Sequence, residues 1–73
     1  MDRALIERHL SQAEQHVLDG RGHVARQRRL IARLRRDGHD LGEAQDLLRI
    51  LEETLASHIA DRDRLRQELE DAS

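Results

Sequence analysis

From His9 to Arg36 the chain divides into four consecutive seven-residue rows, HLSQAEQ, HVLDGRG, HVARQRR and LIARLRR, each opening on His or Leu followed by an aliphatic residue. Seven residues make close to two turns of α-helix, so this repeat returns similar residues to one side of a helix and points to coiled-coil-like packing. In heptad letters, Leu10, Val17, Val24 and Ile31 occupy a, and Ile6, Ala13, Gly20, Gln27 and Leu34 occupy d. His9, His16, His23 and Leu30 occupy g. Gly20 and Gly22 each weaken a helix by about 1 kcal/mol relative to Ala. The repeat nevertheless crosses both without a phase shift, so one continuous helix over about residues 2–36 is expected.

The next segment reads as stop, turn and restart. Arg35 and Arg36 suit the negative end of a helix dipole, and Gly38 suits the left-handed position that ends many helices. Asp40 followed by Glu43 has the spacing of a capping box. The turn is therefore expected over 37–40 and a second helix over about 41–70. Its a column is Leu41, Leu48, Leu55, Arg62 and Leu69, and its d column is Ala44, Leu51, His58 and Leu65. Folding back antiparallel pairs Leu34 with Leu41, Ile31 with Ala44, Gln27 with Leu48, Val24 with Leu51 and Gly20 with Leu55. Val17 then meets His58, Ala13 meets Arg62, Leu10 meets Leu65 and Ile6 meets Leu69. The fold class is all-α, an antiparallel two-helix hairpin forming one domain over residues 1–73.

A chain of 73 residues without Cys has no disulfide to supplement a small core. The apolar stripe of the second helix is also wider than one seam needs. Leu47, Ile50, Thr54 and Ile59 flank it, and Leu30 flanks the seam on the first helix. A stripe of that width implies more than one helical neighbour. The expected assembly is a homodimer forming a four-helix bundle, with these five residues at the interface. Gln27, His58 and Arg62 fall on core positions, and polar groups there are expected to fix the pairing.

Residues 21–36 hold seven Arg and no acid, and Arg26, Arg29, Arg33 and Arg36 fall on one stripe away from the seam. Such a stripe suits an acidic protein partner or phosphates. Glu43, Asp46, Glu52 and Glu53 lie on the adjoining helix, where Arg28 and Arg35 are placed to pair with them, and Arg62 is expected near Glu14. The net charge of -2 and the lack of any aromatic residue argue against nucleic acid as the main partner. No two of the five histidines have the spacing of three or four that a metal pair on one helix needs, although His16 and His58 could meet between helices. No metal, cofactor or catalytic residue is expected, since nucleophile and phosphate-loop signatures are absent. No apolar run approaches a membrane span and no basic-then-apolar leader opens the chain, so a cytoplasmic protein is expected.

The stretches His23–Arg28, Arg36–Asp40 and His58–Leu65 resemble a set of short helical-hairpin proteins of alphaproteobacteria that have no assigned activity. The likeness runs roughly from Glu7 to Leu65, with Gly22 departing from a longer polar residue. It implies a bacterial cytoplasmic protein and no mechanism. In architecture alone the chain is similar to the plasmid copy-control protein Rop, a dimeric bundle that binds paired RNA loops, without a residue-level match. The leading expectation is a non-enzymatic interaction or scaffold module that self-associates. The alternatives are a small RNA-binding hairpin dimer using the Arg stripe and a metal-responsive bundle using the histidines.

Overall fold

The computed structural model describes residues 2–72. Two helices, α1 (Arg3–Arg36) and α2 (Gly42–Asp71), pack antiparallel along their lengths in a rod 55 × 14 × 13 Å. α1 runs unbroken through Gly20 and Gly22. It opens on Asp2, whose carboxylate accepts the Ala4 N–H at 3.4 Å, a cap that the heptad reading overlooks.

The turn is built from the backbone upward. Gly38 adopts φ +75°, a conformation that costs a side-chain-bearing residue about 1–2 kcal/mol. This lets the His39 N–H reach back to the Leu34 carbonyl at 2.9 Å and the Gly38 N–H to Arg35 at 3.2 Å. These are the paired bonds of a Schellman motif, and they satisfy carbonyls that the helix end leaves open. At the restart Asp40 Oδ1 accepts the Gly42 N–H at 3.0 Å, and the first helical bond runs from the Gln45 N–H to the Leu41 carbonyl at 2.8 Å. The expected capping box is not formed: α2 begins at Gly42 with Leu41 as its cap residue, which makes no side-chain cap bond, and Asp40 holds Gly42 and not the Glu43 N–H that the box requires. Glu43 instead places its charge in the first turn of α2, where the helix dipole favours an acid. We expect Gly38→Ala and Asp40→Ala each to lower stability by about 1 kcal/mol in urea titrations, because one loses the left-handed residue and the other the carboxylate that accepts the Gly42 N–H.

The seam keeps the expected register. A Cβ added to Gly20 would lie 3.1 Å from Leu55 Cδ1, so that small residue admits Leu55 against the α1 backbone. The rings of His16 and His58, one layer further toward the chain ends, have centroids 4.9 Å apart. Buried residues are distributed unequally. Ile6, Ala13, Val17, Val24, Gln27 and Ile31 are buried on α1, whereas α2 contributes only Leu65. Leu48, Leu51, Leu55 and Leu69 remain half-buried, because one narrow helix cannot cover a broad apolar stripe. Gln27 joins the core by donating its amide N–H to the Ala44 carbonyl at 2.9 Å, which removes most of the cost of burying it. No helix of the described residues is long and apolar enough to cross a membrane.

Candidate interaction surfaces

Antiparallel packing sorts the positions beside the seam into two flanks, with g residues of both helices on one and e residues on the other. The five residues expected to form one interface are divided between them. Leu47, Ile50 and Thr54 are exposed on the g flank, where Leu30 is half-buried. Ile59 lies on the e flank, in a shallow groove with Ala25, Leu55 and Ala56. A single flat interface cannot use all five. The error arises because g and e both border the seam on a helical wheel, yet face opposite ways once two helices are joined.

The e flank carries the ion pairs between helices. Arg28 meets Glu52 at 3.0 Å and Arg66 meets Glu14 at 3.4 Å. Arg62 does not make the expected contact with Glu14. It sits half-buried and binds its neighbour Asp63 at 3.0 Å. Residues at e project sideways from the seam, so they pair four or five positions beyond the a–d layer in which Arg62 was placed. Arg35 forms no ion pair among the described residues. These pairs are exposed, and each contributes at most about 1 kcal/mol.

The g flank of α1 continues into the Arg stripe. Arg26, Arg29, Arg33 and Arg36 line a shallow groove with Leu30 at its floor. Among the described residues none of the four forms an ion pair with an acid; Arg26 Nη2 lies 2.8 Å from His23 Nδ1. On α2, Glu52 pairs with Arg28 on the e side and Asp46 pairs with Arg49 of its own helix. The four guanidiniums surround Leu30 on α1, and Leu47 and Ile50 are exposed on α2. An amphipathic acidic surface has the matching chemistry.

Four of the five histidines belong to this flank or the adjoining seam. His9, His16 and His23 form a column on α1, and His58 approaches His16 from α2. Among the described residues no three His, Asp or Glu side chains converge as a metal site. The His16–His58 rings are tilted by 45° and line a shallow groove with Gly20 and Leu51. Ser57, one of three serines, donates its hydroxyl to the Glu53 carbonyl at 3.3 Å, an ordinary bond within a helix.

One exposed apolar residue escapes the heptad reading altogether. Leu18 is 61% exposed, more than Leu47 at 45% or Ile50 at 53%. It lies at a b position, outside the columns that border the seam. Its signal in the sequence is the seven-residue column Leu18, Ala25 and Ala32 on the outer side of α1. No known protein family, curated protein or solved structure matches the chain.

Proposed function

We propose that this hairpin is a non-enzymatic protein-interaction module that self-associates through its helices, in a cytoplasmic setting. The carrying observation is the surface that the isolated hairpin leaves open. It exposes 5297 Å², whereas a compact monomer of its mass exposes about 4,700 Å². The surplus, about 600 Å², is close to what one partner buries in a standard interface. The radius of gyration is 16.6 Å, against about 11 Å for a compact domain of this length. Leu18, Leu47 and Ile50 are large apolar residues exposed on the isolated hairpin. Pairing two copies would cover apolar area that a single chain cannot.

Thermal melting over a range of protein concentrations tests this reading. Association of folded chains stabilises them by mass action, so the melting temperature should rise with concentration. A melting temperature independent of concentration contradicts self-association. The unpaired Arg stripe favours a second reading, an RNA-binding hairpin. Phosphate contacts weaken steeply with salt. The interaction-module reading expects no salt-sensitive binding to mixed RNA. Tight binding that is lost when Arg26, Arg29 and Arg33 are changed to Gln would favour the RNA reading instead. The juxtaposed His16 and His58 supply a similar test for metal. Excess Zn²⁺ or Ni²⁺ should leave the melting temperature unchanged. A rise abolished by either His16→Ala or His58→Ala would transfer the assignment to a metal-responsive bundle.

A further inference from the structure

We propose that the self-association surface is the e flank, and that two copies pack there with their turns at opposite ends, α1 against the partner's α1. The inference rests on the self-association proposed above and specifies its geometry. Leu18 projects from this flank, and the groove beside it is lined by Ala25, Leu55, Ala56 and Ile59, with a volume of about 400 Å³. Leu18 and Ala25 are seven residues apart, so they share one side of α1, about 10 Å apart along its axis. A two-fold axis crossing α1 midway between them brings Leu18 of each copy to the Ala25 groove of the other. That axis passes near the middle of α1, so the two rods overlap along most of their length.

Charge selects the same arrangement. The e column of α1 reads Glu7, Glu14, Arg21, Arg28, Arg35, with acids in its first half and bases in its second. Reversing α1 against itself about that axis sets Glu14 beside Arg28 and Glu7 beside Arg35. The whole hairpin has the same polarity. Residues 21–56 hold eight Arg and six acids, whereas the remaining residues hold five Arg and nine acids. Opposed turns place the basic half of each copy on the acidic half of the other; turns at the same end would stack acid on acid at the open ends. Glu14 and Arg28 already have partners within the hairpin, but both are exposed and have capacity for further contacts.

Gly22 shares its seven-residue column with Arg29 and Arg36, and a Cβ there would meet only Arg26 Nη1, at 3.5 Å, so it belongs to the Arg stripe and not to this flank. The g flank lacks this self-match: opposed turns there would set Leu47 and Ile50 against the His9 and Asp61 end.

Cysteine cross-linking combined with sedimentation tests the proposal, and the chain has no native Cys to interfere. Under mild oxidation the L18C/A25C variant should form a covalent dimer, whereas L18C alone and A25C alone should not. Leu18→Asp should weaken dimerisation by about 30-fold or more, as loss of an interface anchor does, with the helical circular-dichroism spectrum retained. Ile50→Asp, on the other flank, should leave it intact. Cross-linking by L18C/A56C in place of L18C/A25C would mean that α1 packs on the partner's α2, and overturns the geometry. A dimer insensitive to Leu18→Asp but lost in Ile50→Asp assigns the interface to the other flank and overturns the inference, leaving self-association standing. A wild-type chain that is monomeric at every concentration removes both.

Discussion

Replacing Val24 by Asp is expected to abolish the fold. Val24 is a buried core residue in the middle of the seam, in the layer it shares with Leu51. Burying a carboxylate without a partner costs several kcal/mol, and removing the aliphatic side chain costs about 1.5–3 kcal/mol more. A core of this size rarely supplies more than about 3–5 kcal/mol. The far-ultraviolet circular dichroism of the variant should be that of a largely unfolded chain at neutral pH. The same substitution at Leu18 should leave the helices intact, because that side chain is mostly in solvent. Comparing the two separates the seam that makes the hairpin from the surface that joins it to a partner. A helical Val24→Asp variant would show that the a–d seam is not what holds the helices together.

The second large effect is expected at Gln27, where the core is polar. Its amide N–H donates to the Ala44 carbonyl, and the residue is only 8% exposed. Gln27→Glu would set a carboxylate oxygen against that carbonyl and bury a charge, costing about 2–4 kcal/mol at neutral pH. The sign of the pH dependence follows. Burial raises the folded-state pKa of the introduced acid above its unfolded value of about 4.3. The penalty is therefore full above the folded pKa and fades as the acid is protonated at lower pH. The protonated acid can also donate to Ala44 as the amide does. Denaturant titrations of the variant and the parent should converge toward pH 4, and a constant gap would rule out a charge effect. Gln27→Leu should cost little stability, since an apolar residue suits the site. It removes the hydrogen bond from the core side chain of Gln27 to the backbone of α2, however, and should loosen the fixed antiparallel register.

Much of this architecture was legible because the a and d columns are regular. Val17, Val24 and Ile31 are buried as their positions require, and the small Gly20 faces the large Leu55 as the antiparallel register requires. Gly38 was legible too, since the Schellman turn needs one left-handed residue directly after the helix. The flanks were not. A wheel drawn for one helix places Thr54 and Ile59 equally close to the seam, and only the second helix decides that they face opposite sides. Long arginines defeat layer arithmetic in the same way: Arg66 reaches Glu14, whereas the nominal layer partner Arg62 folds back on Asp63. Leu18 carries no seam signal because b lies outside the a and d columns, although a residue exposed in the hairpin can be central to an assembly of hairpins.

As proposed above, the hairpin is one half of a larger helical assembly. Sedimentation equilibrium of the wild-type chain at micromolar concentration measures this most directly. The prediction is a fully helical species of twice the 8.5 kDa chain mass, dissociating only on dilution and weakened by Leu18→Asp. A fully helical species at the mass of one chain, at every concentration reached, would contradict it.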